Sequence, residues 1–317
     1  MTASSGAAAD ASNVTAGLDV ITLGTAAGPA IRSGAPGIAT AIVIDGLHYL
    51  VDFGLGCTRQ AHDAGLRGRD LRAAFITHLH SDHVGELPAY LLWNWGAPVD
   101  GFTDDVPIHG PGPRTGAMIE HVLAAFDEDI SIRIVDEGRP DLRRIVRPVD
   151  IVLPADAAGA GPEATPAMRP FEIHRDERVT VTAILVQHPP VFPSFAFRFD
   201  TRYGSVVISG DTTECANVAT LAAGADLLVH EAVDLAYFAS GDFSAEFLNH
   251  QQISHTTPAG VGRVATAAGV GHVVLSHLAG VATDAQWAAG VAAEFAGPVT
   301  VAQPGQRFVP GRVAASS

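Results

Sequence analysis

The sequence predicts an α/β protein in which two β-sheets carry helices on their outer faces. Its first half contains short runs of β-branched residues separated by glycine-containing turns, a pattern typical of consecutive strands. Its second half alternates predicted strands with predicted helices. The 317 residues are 47% hydrophobic and 17% charged, so the chain can bury a large core. Together these observations favour a layered arrangement of two sheets.

The first half is predicted to lead a buried strand, at 73–77, directly into a histidine-rich turn at 78–83. Other strands are predicted at 18–24, 39–44 and 49–53, and helices at 58–66, 86–95 and 118–126. Residues 136–170 are rich in Pro, Arg, Ala and Gly and show little periodicity. They therefore predict an irregular insertion.

The second half places ionisable residues where its strands end. Strands are predicted at 179–186, 195–199, 205–209, 226–230 and 272–276, and helices at 214–223, 258–268 and 284–295. Asp211, His230, Glu231 and His277 stand at or just after strand ends. Because ligand sites in α/β sheets gather at such ends, we expect these side chains to converge.

The remaining composition predicts a soluble cytoplasmic protein. Residues 1–17 are rich in Ala, Ser and Gly and lack the segments of a signal peptide, so they predict a disordered tail before a single domain at 18–317. The most apolar stretch, 38–55, is interrupted by Asp45, His48 and Asp52, which argues against a membrane span. Two cysteines without CxxC spacing are typical of a reducing compartment.

The charged residues exclude some kinds of chemistry. The net charge is −15, and all 19 basic residues are arginine. The absence of lysine excludes Schiff-base catalysis and a Walker-type phosphate loop. The acidic excess argues against a broad nucleic-acid surface.

The strongest local motif is the turn His78-Leu79-His80-Ser81-Asp82-His83. Crowded imidazoles repel one another when protonated, whereas a bound cation would use all of them together with the carboxylate. Imidazole with carboxylate and no thiolate suits zinc first, with iron, manganese and cobalt as substitutes. With the side chains at later strand ends, the ligands are too many for one tetrahedral ion, which implies two metal ions about 3.5–4 Å apart.

These motifs resemble, in type and order, the metal motifs of the metallo-β-lactamase superfamily. The resemblance rests on THLHSDH, the lone His188, Asp211 in SGDT and His277 in LSH. It implies an αββα sandwich of two mixed β-sheets with outer helices and a dimetal site at one edge. It also implies the ligand sets, which are His78, His80 and His188 for the first zinc, Asp82, His83 and His277 for the second, and Asp211 as the bridge.

Two further motifs narrow the resemblance to the branch that contains tRNase Z and arylsulfatase-like proteins. His230-Glu231-Ala232 and His255-Thr256-Thr257 resemble its HEAT and HST motifs, and LGTAAGP at 23–29 resembles its glycine-rich loop. The resemblance implies that His255 contacts the scissile or leaving group and that Glu231 orients it. The alternative for His255 is a cap of the helix predicted at 258–268.

The sequence departs from tRNase Z in a way that favours a small substrate. Only 22 residues separate His188 from Asp211, so the arm that binds the tRNA elbow is absent there. With the net charge, this spacing makes nucleic acid an unlikely partner. Aromatic residues flank the metal motifs and could form a wall or lid for an aryl group: Trp93, Trp95, Phe192, Phe195, and Tyr237, Phe238, Phe243 and Phe247 in the segment 234–249.

We therefore predict a dinuclear zinc hydrolase acting on a small, aryl-bearing substrate. A metal-bridging hydroxide would attack a phosphodiester, sulfate ester, lactone or activated aryl ether. Asp82 or Asp211 would orient or accept the proton, and His255, held by Glu231, would act on the departing oxygen.

The alternatives are a tRNA 3′-processing endonuclease, a non-catalytic subunit of a hydrolase assembly, and a di-iron redox protein with a flavin partner. Positive mean hydropathy without a membrane segment also predicts a homo- or hetero-oligomer. Trp93 to Gly96, or residues 136–170, would contribute to the contact.

Overall fold

The computed structural model describes residues 16–157 and 159–311. The described residues contain two seven-stranded sheets. The strands are β1 (Leu18–Gly24), β2 (Ala39–Ile44), β3 (Leu47–Val51), β4 (Leu71–Phe75), β5 (Val106–Pro111), β6 (Val146–Ile151), β7 (Phe171–Arg175), β8 (Val179–Leu185), β9 (Phe195–Thr201), β10 (Gly204–Ile208), β11 (Leu227–Val233), β12 (Val273–Ala279), β13 (Val299–Val301) and β14 (Gln306–Phe308).

The first sheet has the order β14-β1-β2-β3-β4-β5-β6, and the second has the order β13-β12-β11-β10-β9-β8-β7. Both sheets are mixed. In the first, β1 to β3 pair antiparallel and β3 to β6 pair parallel. In the second, β7 to β10 pair antiparallel and β10 to β13 pair parallel. The prediction of two mixed sheets with helices is confirmed.

Helices supply the connections that parallel strands require. They are α1 (Cys57–Asp63), α2 (Ser81–Val84), α3 (Leu87–Trp93), α4 (Arg114–Ala125), α5 (Asp127–Asp136), α6 (Leu142–Ile145), α7 (Ala216–Leu221), α8 (Leu235–Ser240), α9 (Ala245–Ser254), α10 (Pro258–Ala268) and α11 (Asp284–Ala292). No helix among the described residues is both long and apolar enough to cross a membrane.

The strand sequences explain why the sheets pack face to face. In β1, Val20 joins the core shared by both sheets, whereas Ile21 joins the core between the first sheet and its helices. Such a strand is apolar on both faces because each face is covered. Phe75 of β4 lies 5.7 Å from Phe197 and 5.3 Å from Phe199 of β9, measured between ring centroids. These contacts join the two sheets at the centre of the sandwich.

Two segments differ from their predictions. Within 136–170, predicted irregular, the structure has α6 and the strand β6, which pairs parallel with β5. The middle of β6 is exposed, as is usual at a sheet edge, so its sequence shows no apolar alternation. The loop predicted at 234–249 lies mostly within α8 and α9. The predicted tail at 1–17 falls outside the described residues except for its last two.

Candidate metal centre

Strand ends from both sheets deliver the predicted site residues to one edge of the sandwich. The HLHSDH turn follows β4, His188 follows β8, Asp211 follows β10, and His277 lies in β12. His277 has a backbone φ of 46°, a conformation that a residue other than glycine rarely adopts and that is common at functional sites.

One group of side chains contains His78, His80, His188 and Asp211, whose candidate ligand atoms all lie within 4.8 Å of one another. His188 Nε2 is 3.2 Å from His80 Nδ1. His78 Nε2 and His188 Nε2 are each 3.9 Å from Asp211 Oδ2. Four buried or half-buried donors therefore face a common point.

A second group contains Asp82, His83 and His277, again with ligand atoms within 4.8 Å of one another. His277 Nε2 lies 3.4 Å from Asp82 Oδ2. Asp211 Oδ2 is 3.3 Å from both His83 Nε2 and His277 Nε2. Asp211 therefore touches both groups.

The unsatisfied atoms of this cluster fit bound cations. His78 Nε2, His83 Nε2 and Asp211 Oδ1 are buried and have no hydrogen-bond partner among the described residues. A buried polar atom without a partner is costly, and metal ions bound to the two groups would satisfy all three atoms. Nitrogen and carboxylate oxygen donors suit zinc and neighbouring divalent metals.

Hydrogen bonds behind the cluster fix which imidazole nitrogen faces inward. His83 Nδ1 lies 2.8 Å from Asp52 Oδ2, and His188 Nδ1 lies 2.8 Å from the Ser254 carbonyl oxygen. Thr77 Oγ1 donates to Asp52, so it accepts from His78 Nδ1 at 3.1 Å. All three Nδ1 atoms are therefore donors, which leaves the lone pair of Nε2 for a metal.

Asp52 is a site residue that the sequence analysis missed. It follows β3, is buried, and accepts hydrogen bonds from the Thr77 backbone N–H and hydroxyl as well as from His83. The strand predicted at 49–53 placed Asp52 inside the strand, whereas the structure ends β3 at Val51, so Asp52 follows its strand as Asp211 follows β10. Asp52 entered the sequence analysis only as an interruption of an apolar stretch.

The glycine-rich loop at 23–29 approaches the site closely. The Gly28 backbone N–H donates to Asp82 Oδ2 at 3.0 Å. A Cβ atom at Gly28 would lie 2.4 Å from Asp82 Cβ, so only glycine fits there without movement. The loop therefore helps to orient Asp82.

His255 and Glu231 form a buried pair beside the cluster. His255 Nδ1 lies 2.9 Å from Glu231 Oε1, which also accepts from the Thr212 backbone N–H at 2.9 Å. Burial lowers the pKa of His255, but the charge and hydrogen bond of Glu231 outweigh burial and raise that pKa to about 9. The cap of α10 is Thr257, whose side chain accepts from Gly260, so the capping alternative for His255 is wrong.

The electrostatics favour ligand-competent states at two positions. Burial and the neighbouring His83 hold the pKa of His78 well below 6.5. Burial raises the pKa of Asp211, but the charges of His277 and His83 outweigh burial and hold that pKa well below 3.8. A neutral imidazole and an ionised carboxylate are the forms that bind metal.

The predicted aromatic wall is divided by the structure. Trp95 and Phe195 are fully buried in the two cores, so they have no role at the surface of the site. One aromatic cluster is formed by Tyr237 and Phe238 of α8, Phe247 of α9, and Phe243 between these helices. Trp93 is 75% exposed. It lines a groove of about 960 Å³ that Gly28, Arg59 and Asp82 also line.

Comparison with known proteins identifies the family. The family model described as "Metallo-beta-lactamase superfamily" matches residues 34–230 of this chain. A protein of Mycobacterium sp. (strain KMS) named Ribonuclease Z is 33% identical over 293 residues, covering 88% of this chain and 91% of the relative. Ribonuclease Z of Mycobacterium bovis (strain BCG / Pasteur 1173P2) is 32% identical, covering 90% and 95%.

Two solved structures share the fold at lower identity. The metallo-β-lactamase fold protein YhfI from Bacillus subtilis has a TM-score of 0.65 at 19% identity, covering 92% of this chain and 99% of that one. The short form of human tRNase Z has a TM-score of 0.65 at 21% identity, covering 93% and 100%. At these identities the likeness shows the fold alone.

Two expectations from the sequence are wrong, because the curated relatives are named Ribonuclease Z. One is the small aryl-bearing substrate, and the other is that nucleic acid is an unlikely partner. The net charge of −15 is a property of the whole chain and does not describe the groove beside Asp82, where Arg32 and Arg59 lie. The segment between His188 and Asp211 consists mainly of β9 and β10. This short segment does not exclude tRNA, because a relative that aligns over 91% of its own length is named Ribonuclease Z.

The fold, the order of the metal motifs and the named relatives all indicate the same family. The superfamily is typically dependent on two metal ions, and the clustered His and Asp side chains of this chain can bind metals. The chain belongs to the metallo-β-lactamase superfamily, as a metal-dependent hydrolase of its tRNase Z branch.

Proposed function

We propose that this protein is an endoribonuclease that processes the 3′ end of precursor tRNA. The observation that carries the proposal is the combination of two adjoining ligand groups with the buried His255–Glu231 pair. It occurs in a chain that aligns with proteins named Ribonuclease Z over nearly its whole length.

We propose zinc as the metal, with manganese or iron as substitutes. His78, His80 and His188 would hold one ion, Asp82, His83 and His277 the other, and Asp211 would bridge them. Two divalent ions bound there would supply a nucleophile from water near neutral pH and would offset the charge of a phosphodiester.

The remaining steps belong to side chains of this chain. Asp211 or Asp82 would accept the proton that the attacking water releases. His255 would donate a proton from Nε2 to the departing 3′-oxygen, because its Nδ1 is occupied by Glu231. The P–O3′ bond breaks and water adds to phosphorus, so the products carry a 3′-hydroxyl and a 5′-phosphate. The charge of Glu231 supports a protonated His255 at neutral pH.

The test is cleavage of an end-labelled precursor tRNA by metal-replete protein, with the cut mapped on a sequencing gel. We expect one cut at the 3′ end of the acceptor stem. Asp211→Ala should abolish cleavage and lower the metal content. His255→Ala should slow cleavage while the metal content stays near that of the unmodified protein, because His255 would act on the departing oxygen. Absence of specific cleavage with zinc, manganese and iron would refute the proposal.

We also propose that the protein is an oligomer, located in the cytoplasm. Ile31, Leu55 and Trp93 are exposed apolar side chains that line the same groove, and apolar surface of this kind often lies at an interface. Light scattering should give a multiple of 32.8 kDa, and a monomer would refute the oligomer.

A further inference from the structure

His250 is a half-buried histidine that carries no family motif and lies beside the candidate metal centre. Its ring centroid is 6.2 Å from that of His80, 5.8 Å from that of His188 and 5.4 Å from that of His255. It belongs to α9, which ends at Ser254, directly before His255. The end of α9 therefore carries this imidazole to the rim of the site.

The spacing along α9 explains its orientation. Phe247, His250 and Ser254 are three and four residues apart, so they share one face of the helix. The backbone carbonyl of Ser254 accepts from His188 Nδ1, which holds the end of α9 against the site. Phe247, one turn before His250, is 39% exposed and packs against Phe238 and Phe243.

A hydroxyl group fixes the tautomer of His250. Ser254 Oγ donates its proton to the Pro189 carbonyl oxygen. The same Oγ lies 3.1 Å from His250 Nδ1, so it accepts there and Nδ1 must carry the proton. Nε2 of the neutral ring is then a hydrogen-bond acceptor. Among the described residues, nothing donates a hydrogen bond to it.

An acceptor at this place suits one feature of an RNA substrate. Phosphate oxygens are also acceptors and gain nothing from a neutral Nε2, whereas the ribose 2′-hydroxyl can donate to it. Attack by water on phosphorus does not use the 2′-hydroxyl, so this group is free to be recognised.

We propose that His250 Nε2 accepts a hydrogen bond from the 2′-hydroxyl of a nucleotide flanking the scissile phosphate, and so favours RNA over DNA at that position. The inference rests on the proposed function. It makes His250 a specificity-determining residue that contacts substrate without binding the metal ions.

Two substitutions separate substrate contact from the bond to Ser254. In His250→Asn the amide nitrogen replaces Nδ1, which keeps the bond to Ser254 and removes the acceptor. In His250→Gln the amide oxygen can reach the position of Nε2, which keeps an acceptor and loses the bond to Ser254. His121→Asn, at an exposed histidine of α4, is the matched control.

The experiment measures kcat/KM for an all-ribo precursor RNA and for two variants of it. One variant carries a single 2′-deoxynucleotide on the 5′ side of the cut, and the other carries one on the 3′ side. In the unmodified protein and in His121→Asn, deoxy substitution at one position should reduce kcat/KM by about 2- to 12-fold, the range of one hydrogen bond. His250→Asn should cleave the ribo and deoxy substrates equally well, whereas His250→Gln should still distinguish them. Metal content should be unchanged in all variants.

Four results would count against the inference, and they differ in what else they overturn. If deoxy substitution still lowers kcat/KM in His250→Asn, the contact alone is refuted. The same holds if deoxy substitution does not lower kcat/KM in the unmodified protein. A protein that cleaves no RNA refutes the proposed function and this contact with it. Loss of metal from His250→Asn would show that His250 supports the metal centre instead.

Discussion

Replacing Asp52 by asparagine tests whether the hydrogen bonds to the Nδ1 atoms of the ligand histidines keep their Nε2 atoms free to bind metal. The amide oxygen can still accept from the Thr77 backbone N–H, which lies 2.8 Å from Asp52 Oδ1. The amide nitrogen would then face His83 Nδ1, now 2.8 Å from Asp52 Oδ2. Two donors cannot pair, so His83 would carry its proton on Nε2. That atom is the one that faces Asp211 Oδ2 at 3.3 Å and would have to bind metal.

The size of the effect follows from the bond that is lost. A hydrogen bond to a charged group contributes about 1.5–3 kcal/mol, which corresponds to about 10- to 150-fold in an equilibrium constant. We therefore expect Asp52→Asn to weaken zinc binding by about 10- to 100-fold, the usual effect of removing a partner of a ligand. The assay is competition against a chromophoric chelator at fixed pH.

Asp226→Asn is the matched control. Asp226 accepts from the Ser205 backbone N–H and hydroxyl at 2.8 Å and 3.0 Å, as Asp52 does from Thr77, but it precedes β11 at the opposite end from Glu231. Asp226→Asn should therefore leave the affinity for zinc unchanged. If Asp52→Asn folds normally and binds zinc as tightly as the unmodified protein, the argument from tautomers is refuted.

Three further changes have defined outcomes. Gly28→Ala should weaken zinc binding, because a Cβ atom 2.4 Å from Asp82 Cβ must displace that side chain; unchanged affinity would contradict the close approach. His109→Phe should make the free energy of unfolding less sensitive to acid. Burial lowers the pKa of His109 to about 4, so the unfolded chain binds the proton first and about 1.4 kcal/mol per pH unit is lost as pH falls from 6.5 toward 4. Parallel pH profiles for both proteins, measured by urea unfolding, would contradict this. Glu231→Gln should slow RNA cleavage at neutral pH with little change in metal content, because it removes the charge that favours protonated His255; equal rates would remove Glu231 from that role.

The sequence predicted most clearly those features whose signal is local. The HLHSDH turn sits after a strongly apolar strand, so both the turn and its place at a strand end could be inferred from a short window. Asp211 and His277 carried the same signal at later strands. Asp52 was predicted inside the strand at 49–53, and its partners Thr77 and His83 come from a different part of the chain, so only the folded structure brings them together.

Elements without a local signal were missed. The helix α9 mixes Phe247, His250 and Ile253 with polar residues and has no apolar stripe, since much of it is exposed at the rim of the site. Trp95 is close in sequence to the HLHSDH turn, which made it a candidate for the site. The structure exposes Trp93 at the end of α3 and buries Trp95. The substrate class was misjudged because a net charge averages over a surface and does not describe a single groove.

The rate of precursor tRNA cleavage as zinc is titrated into metal-free protein tests the central claim most directly. Asp211 touches both ligand groups, so neither site should support full activity alone. We predict that specific 3′ cleavage rises until about two equivalents of zinc are bound per chain and then stays constant. Full activity at one equivalent, or no cleavage at two, would contradict the account.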